Sequence, residues 1–376
     1  MKDIKYRTLV ETLKTNILSG KYGAQSSFPS MRALISRFGL SKTTVQRALD
    51  ELFNQGLISR KQGRGTFVNS EGVSRKIGLI IPGMCYGEIF PSICREISKL
   101  AQAAGYVVLF GDVSSEDPKA RARMAGDLAR KFAAERVSGV IYQPIEFLRD
   151  MERINRRIVS VFDAARIPVV LIDWDIVPSP DRSAYDLVGI NNFEAGRRVA
   201  EHLVAQGARC IRFLTWRNCA YSVANRISGV RSVVPYGDKV QVTVNMSDVS
   251  AVRKVLSARP HPDALVCGND TNAARLLVAL RKLGKRVPED ICVVGFDDVQ
   301  HAVLVQPALT TVRQPCADIA RMAFRLLIER IKDADLPTRE CLLSAPLVVR
   351  NSTRTGASDF RSAQTIQQGK TRSSKR

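Results

Sequence analysis

Polar and aromatic side chains follow several apolar runs of the sequence, at the point where each run ends. They are Asp112, Asp173 and Trp174, Trp216, Asn269 and Asp270, and Asp297 and Asp298. Carboxylates and amides exchange paired hydrogen bonds with hydroxyl groups, and aromatic rings cover the apolar face of a sugar or a base. Because ligands of parallel sheets bind at the carboxyl ends of strands, this set predicts a cleft for a small polar molecule. Each Asp or Asn could instead cap the helix that follows it.

The usual signatures of enzymes and metal sites do not occur in the sequence. It has no phosphate-binding glycine loop, nucleophile elbow or zinc-protease helix. Asp297 and Asp298 are adjacent, so on an extended chain they point to opposite sides and do not pair as acid and base. The eight cysteines form no C-x-x-C pair, and the three histidines lack ligand spacing. We therefore expect no enzyme, no cofactor, no metal site and free, buried thiols.

Nine apolar runs alternate with helical patterns over most of the chain. They are residues 77–81, 107–110, 139–143, 169–173, 187–190, 211–216, 240–244, 264–268 and 291–296. Near-continuous apolar strands separated by helices are typical of parallel, doubly wound sheets that are covered on both faces. So many strands suit two lobes better than one sheet, and the predicted fold class is α/β.

A small separate domain of three helices and a hairpin is predicted before these strands. Apolar stripes predict a helix ending near Gly20, a second over 31–38 that Gly39 ends, and a third between Ser41 as N-cap and Gly56. The third helix has a predicted buried face formed by Val45, Ala48, Leu49, Leu52 and Phe53. Residues 57–60 and 66–68 predict the two strands of a wing. Two short helices joined by a tight turn predict a winged helix-turn-helix, whose second helix reads base edges.

The charge of the chain indicates its partner. Its 57 Lys and Arg outnumber 36 Asp and Glu, giving a net charge of +21, which implies a polyanion, nucleic acid before a membrane surface. No secretory signal or membrane-spanning run is found, so we expect a cytoplasmic protein that does not bind membranes. The basic tail, 354–376, has few apolar residues and is expected to be disordered, as a solvated terminus or an accessory contact to DNA.

Two stretches resemble known families. Residues 5–68 resemble the winged-helix domain of GntR-type regulators through "FPSMRAL", "GLSKTTVQRALDEL" and "GLISRKQGRGTFV". Residues 76 to about 353 resemble the effector domain of LacI-type repressors, itself similar to periplasmic sugar-binding proteins, through "NRISGVR", "ALVCGNDTNAARLLVALRKLGKRVPEDICVVGFDD", "PALTTVRQP" and "LVVRNST". Together they resemble the arabinose-repressor type of regulator.

The resemblance implies a domain organisation. It places a winged helix-turn-helix domain at 1–70, a linker at 71–76 and an effector-binding and dimerisation domain at 77–353. Lobe one would comprise about 77–190 and 315–336, and lobe two about 191–313 and 338–353. The chain would then cross between the lobes near residues 190, 314 and 337.

The resemblance and the strand ends together name the candidate site residues. DNA contacts are expected from Arg32, Ser41, Lys42, Thr43, Thr44, Gln46, Arg47, Gly63, Arg64 and Gly65. Effector contacts are expected from Tyr86, Phe90, Asp173, Trp216, Arg226, Asn269, Asp270 and Asp297. Relatives often have arginine at the position of Gln46, so the base preference is expected to differ.

These observations predict a sequence-specific transcriptional regulator, a repressor, that binds a palindromic operator as a homodimer. The cleft would bind a small-molecule effector, a sugar. One alternative is a nucleobase effector, because related domains bind purines. Another is a non-specific architectural DNA-binding protein, which would use the charge without needing the cleft. An enzyme acting on a sugar is the third alternative.

Overall fold

A computed structural model describes residues 2–18, 22, 28–54, 57–61, 65–68, 75–81, 89–111, 113, 115, 117–235 and 240–354. The first domain contains the helices α1 Lys2–Leu18, α2 Met31–Phe38 and α3 Lys42–Asn54. The strands β1 Ile58–Lys61 and β2 Gly65–Val68 pair antiparallel and form the wing. This order of elements confirms the predicted winged helix-turn-helix.

The ends of the two short helices follow from single residues. Ser30 Oγ accepts the Ala33 N–H at 3.2 Å, and Ser41 Oγ accepts the Thr44 N–H at 3.3 Å, so both serines act as N-caps. Gly39 has a left-handed φ of 62° and donates its N–H to the Ile35 carbonyl, which ends α2. The predicted helix ends at Gly20 and Gly56 lie outside the described residues.

The three helices enclose a small apolar core, with Leu13, Leu34, Val45 and Leu52 fully buried. Phe53 was predicted on the buried face of α3, and that prediction is wrong. The side chain of Phe53 is 47% exposed, and the Arg60 guanidinium from the wing lies 5.5 Å from its ring centroid. The ring of Phe53, at the edge of the apolar stripe of α3, thus contacts a cation instead of the core.

The body consists of two six-stranded sheets. The first has the order β13-β7-β6-β5-β3-β4, with β3 Lys76–Ile80, β4 Val107–Phe110, β5 Gly139–Tyr142, β6 Val169–Ile172, β7 Asp186–Ile190 and β13 Glu340–Leu343. The second has the order β14-β12-β11-β10-β8-β9, with β8 Ile211–Thr215, β9 Gln241–Thr243, β10 Ala264–Cys267, β11 Cys292–Asp297, β12 Thr310–Arg313 and β14 Leu347–Val348. All nine predicted strands are present, each end within one residue of its prediction.

Helices cover the sheets, as the buried apolar strands require. Those of the first lobe are α4 Phe90–Ala103, α5 Pro118–Ala134, α6 Met151–Ala164 and α12 Cys316–Lys332. Those of the second are α7 Asn192–Ala205, α8 Tyr221–Arg231, α9 Val249–Ser257, α10 Asp270–Lys282 and α11 Gln300–Leu304. All pairings within the sheets are parallel except that of β14 with β12.

The last crossing between the lobes differs from the prediction. Residues 340–343 form β13, which pairs with β7 in the sheet of lobe one, whereas the sequence placed them in lobe two. The chain therefore crosses at 344–346, not near 337. The cause is the fully buried carboxylate of Asp186, which is 2.8 Å from Arg330 Nη2 and 3.2 Å from Arg339 Nη2. These ion pairs tie the end of α12 and the residue before β13 to lobe one.

Helices α7 and α8 cross at two glycines. A Cβ at Gly196 would overlap the Arg226 carbonyl oxygen, and one at Gly229 would overlap the Phe193 carbonyl oxygen. Only glycine allows the two backbones to approach this closely. The crossing fixes α8 against α7, and with it the position of Arg226.

Candidate effector cleft and nucleic-acid interface

A cavity of about 1170 Å³ lies between the two lobes, at the carboxyl ends of both sheets. Lobe one contributes Phe90, Arg121, Gln143, Glu146, Phe147 and Asp173. Lobe two contributes Trp216, Arg226, Asn245, Asn269, Thr271 and Asp297, and Gln314 comes from a segment that crosses between the lobes. This is the location predicted from the polar residues at the strand ends.

Arg226 is the central cation of the cavity. Its side chain is buried, its Nε donates to Asn192 Oδ1 at 2.8 Å, and one Nη donates to the Gly268 carbonyl at 2.6 Å. The same Nη lies 3.9 Å from Asp297 Oδ1, and the guanidinium lies 4.6 Å from the ring centroid of Phe296. Helix α8 thus presents a cation that is fixed on three sides and adjacent to an acceptor.

Three carboxyls face the same space. Burial raises the pKa of Asp173 to about 6 and that of Asp297 to about 6, although Arg226 lowers both. Burial also raises the pKa of Glu146 to about 7, and the nearby Asp173 carboxylate raises it further. Asp297 Oδ1 accepts a hydrogen bond from Gln314 Nε2 at 2.8 Å. Perturbed carboxyls gathered in a cleft are typical of binding sites.

Some polar atoms of the cavity wall have no protein partner among the described residues. They are Asp173 Oδ1, Trp216 Nε1 and Thr271 Oγ1, and all three are buried. A buried polar atom without a hydrogen bond destabilises the protein by about 1–3 kcal/mol, so such atoms are uncommon away from functional sites. Together they offer one acceptor, one N–H donor and one hydroxyl to a bound molecule.

Backbone strain is concentrated at this cleft. Phe147, Asp173, Asn218 and Asp297 have φ values of 71°, 72°, 52° and 114°, in the region that non-glycine residues seldom adopt. Gly189 lies so close to Asp173 that a Cβ there would be 2.8 Å from the Asp173 carbonyl oxygen. Strained residues that cluster in one cleft indicate that their positions matter for function.

Most of the predicted effector residues line the cavity. They are Phe90, Asp173, Trp216, Arg226, Asn269 and Asp297. Asn269 is also the N-cap of α10, because its Oδ1 accepts the Asn272 N–H at 3.0 Å. Tyr86 lies outside the described residues.

Asp270 does not line the cavity, so its prediction as an effector contact is corrected. Its side chain is fully buried. Its two carboxylate oxygens accept from Thr311 Oγ1 at 2.6 Å and from the Val299 N–H at 3.1 Å. Asp298 does not line the cavity either, and its carboxylate pairs with Arg313 and Arg350. Strand alternation is not the reason, because the backbone is not extended at Asp297 and Asp298, whose φ values are 114° and 56°.

Sequence reasoning missed several cavity residues, Gln143, Glu146 and Gln314 among them. Gln143 and Glu146 follow β5, so the rule that found Asp173 would have found them too. Gln314 follows β12, which was not among the predicted strands, so the rule had no strand end to apply there.

The polar face of α3 is the candidate nucleic-acid interface. Ser41, Lys42 and Thr43 are exposed at the start of the helix, and Arg32 is exposed on α2. Thr44 is half-buried and its hydroxyl lies 2.8 Å from Ser41 Oγ.

The other predicted DNA contacts are also placed by the fold. Gln46 Nε2 donates to Asp50 Oδ1 at 2.9 Å, and the Arg47 guanidinium lies 4.4 Å from the Tyr6 ring centroid. Gly65 begins β2 of the wing. Gly63 and Arg64 lie outside the described residues.

Among the described residues, no group of three or more His, Cys, Asp or Glu side chains could hold a metal ion. The seven described cysteines are free thiols, and four of them are buried. No helix in these residues has the length and apolar character needed to cross a membrane.

Both domains match known families. Residues 5–68 match the gntR family of bacterial regulatory proteins, and residues 200–353 match the periplasmic binding protein-like domain. The arabinose metabolism transcriptional repressor of Halalkalibacterium halodurans is 27% identical over 385 residues, covering 95% of this chain and 98% of that protein. The ribose operon repressor of the same organism is 29% identical over 333 residues, covering 86% of this chain and 94% of that protein.

Solved structures share the fold of the body. A LacI family transcriptional regulator from Enterococcus faecalis V583, solved with bound ribose, aligns with a TM-score of 0.62 at 23% identity. The alignment covers 74% of this chain and 98% of that one.

The chain thus joins a gntR-type winged helix-turn-helix head to a periplasmic-binding-protein-like body, the domain pair of a DNA-binding transcriptional regulator. Its alignment with the arabinose metabolism repressor runs through both domains. The families and relatives that it matches are regulators of transcription and not enzymes.

Proposed function

We propose that this regulator is a repressor whose effector is a sugar bound between the two lobes. The observation that supports this is the composition of the cavity wall. Carboxyls, the forked Arg226, the amide of Asn269 and the indole of Trp216 face one space. Paired donors and acceptors suit adjacent hydroxyls, and an indole suits the apolar face of a sugar ring. The two relatives are named for arabinose metabolism and for a ribose operon, which supports the same class.

The head would bind operator DNA in the usual manner of a helix-turn-helix. The start of α3 would enter the major groove, with Ser41, Lys42, Thr43, Thr44, Gln46 and Arg47 facing bases and phosphates. Arg32 would contact the DNA from α2, and the wing tip, Gly63 to Gly65, would enter the minor groove. We expect these contacts to be made in the cytoplasm, where the operator lies.

The operator would be palindromic and the protein a homodimer, since one head reads only one half-site. Apolar side chains exposed on lobe two support this. Val278 on α10 is 46% exposed, and Val303 and Leu304 on the neighbouring α11 are 60% and 71% exposed. A second copy that covers these side chains would remove them from water.

Effector binding would act through the three segments that join the lobes, at 191, 314–315 and 344–346. A sugar can shift the lobe arrangement only by its difference in affinity for the two arrangements. Coupling between effector and DNA sites typically amounts to about 1–3 kcal/mol, or about 5- to 150-fold in operator affinity.

A thermal-shift screen tests the proposal. The purified protein would be screened with L-arabinose, D-ribose, cellobiose, their phosphates and free nucleobases. At about 100 times its Kd, an effector adds about 2.7 kcal/mol to the stability of the body. We expect a sugar to raise the melting temperature of the wild type and of Arg231→Ala, a control on α8 outside the cavity wall, and to raise that of Arg226→Ala by much less. A shift with a nucleobase alone would contradict the sugar assignment.

The operator is tested separately. A regulator prefers its operator over random DNA by about a thousandfold or more. Equal affinity for every sequence would instead indicate an architectural DNA-binding protein.

A further inference from the structure

A loop of lobe one contacts a loop of lobe two, in addition to the three segments through which the chain crosses between the lobes. The loop of lobe one follows β5, and the loop of lobe two precedes α8. The Ala220 N–H donates to Glu146 Oε2 at 3.0 Å, and the Phe147 N–H donates to the Asn218 carbonyl at 2.8 Å. Each hydrogen bond therefore spans the cleft.

Aromatic contacts accompany these hydrogen bonds. The rings of Phe147 and Trp216 lie 5.9 Å apart, and those of Trp174 and Tyr221 lie 5.2 Å apart in an edge-to-face arrangement. Each pair joins one lobe to the other. Ala220 is 4% exposed and belongs to the apolar core of lobe one, although the chain places it in lobe two.

The beginning of α8 depends on the opposite lobe. Its N-cap residue is Ala220, which has no side chain able to accept a hydrogen bond from the first turn. The Glu146 carboxylate of lobe one accepts the N–H of Ala220 itself, next to the positive end of the helix dipole. Arg226, the central cation of the cavity, lies on this same helix.

Both partners of the backbone hydrogen bond are strained. Phe147 and Asn218 have φ values of 71° and 52°, which cost free energy for residues other than glycine. Such conformations persist where surrounding contacts hold them. The strain therefore indicates that the contact between the lobes is a specific one.

We infer that Glu146 and Phe147 form a clasp with residues 216–221 that holds the lobes together and positions Arg226 through α8. Glu146 is thus a positioning residue. Because Glu146, Phe147 and Trp216 also line the cavity, an effector would contact the clasp directly. That last consequence rests on the proposed function, whereas the clasp itself does not.

Hydrogen exchange measured by mass spectrometry tests the clasp, because both spanning donors are backbone amides. The full chain is compared without sugar as wild type, Glu146→Ala, Glu146→Gln and Glu135→Ala. Glu135 is a matched control, since its carboxylate pairs with Lys76 at 2.7 Å within lobe one. We expect Glu146→Ala to speed exchange about tenfold at both the Phe147 and the Ala220 amides. Glu146→Gln, whose amide oxygen still accepts, and Glu135→Ala should retain protection.

A second variant removes the donor instead of the acceptor. Ala220 has a φ of −54°, which proline adopts, so Ala220→Pro deletes the N–H and leaves Glu146 intact. The Phe147 amide should again lose protection. If either variant alters exchange only near residue 220, or not at all, the clasp is overturned, because Glu146 would then be no more than a local cap. No sugar is present, so failure here is separate from failure of the effector screen.

Discussion

Replacing Arg226 should separate effector binding from DNA binding. Arg226→Ala removes the hydrogen bonds to Asn192 Oδ1 and the Gly268 carbonyl, and leaves Asp297 without its cation. Loss of one partner from a buried ion pair destabilises a protein by about 3–5 kcal/mol. We therefore expect the free energy of unfolding of the body to fall by about that amount.

The affinity for the effector should fall because the guanidinium no longer contacts the sugar. A hydrogen bond to a charged group contributes about 1.5–3 kcal/mol, so loss of the guanidinium should weaken sugar binding by roughly 10- to 150-fold. Arg226→Lys keeps the charge but lacks the planar fork, and should lie between alanine and the wild type. Operator affinity without sugar should stay unchanged, because the residue lies in the body.

The assay uses a property of the sequence. Its two tryptophans, Trp174 and Trp216, both lie in the body, so urea unfolding followed by their fluorescence reports on that domain and not on the head. Calorimetry with the sugar found by the screen gives the affinity, and footprinting gives operator binding. Arg231→Ala is the control. Normal sugar affinity combined with lost operator binding would refute the role assigned to Arg226.

Four further predictions follow from other contacts. Lys42→Ala should weaken operator binding about tenfold in footprinting without changing the tryptophan unfolding curve, whereas an unchanged footprint would move the DNA site elsewhere. Leu304→Asp should convert the proposed homodimer to a monomer in light scattering at unchanged body stability, and a persistent dimer would place the interface on another face. Gly229→Ala should destabilise the body by about 1–3 kcal/mol in urea, because its methyl group overlaps the Phe193 carbonyl. Burial raises the pKa of Asp297 from its usual 3.8 to about 6, so the stability that this carboxyl contributes is present below pH 3.8 and is lost as the pH rises through about 6. Urea titrations of the wild type should show this decline in the free energy of unfolding, and Asp297→Asn should reduce the decline.

The sequence predicted the fold where local pattern and burial agree. Seven of the nine predicted strands are almost wholly buried, so their apolar runs can be recognised from the sequence alone, whereas the edge strands β4 and β9 have exposed residues. Three strands, β12, β13 and β14, were not predicted. The strand β13, Glu340–Leu343, alternates exposed and half-buried residues at the edge of its sheet, and its place depends on the ion pairs of Asp186, whose partners are more than 140 residues away.

The candidate site was predicted in part, for a similar reason. A polar residue that follows a buried strand must lie at the edge of the sheet, but the strand does not determine which way its side chain faces. Asp297 faces the cavity, whereas Asp270 accepts hydrogen bonds from Thr311 and Val299 inside lobe two. Only the packing of α10 against β11 and β12 distinguishes the two.

The clasp shows why a contact between lobes is harder to infer than a ligand site. A glutamate such as Glu146 could contact either a ligand or the other lobe, and no residue near it in the sequence indicates that Ala220, at the start of α8, has no side-chain cap. The contact between lobes is recognised only from the structure, which pairs the weak N-cap of α8 in lobe two with the Glu146 carboxylate in lobe one. An effector regulator needs such pairings, because a ligand that touched only one lobe would have no difference in affinity between the open and closed arrangements. The cleft residues that also span the lobes are therefore the positions where substitutions should change the response to effector without abolishing either binding event.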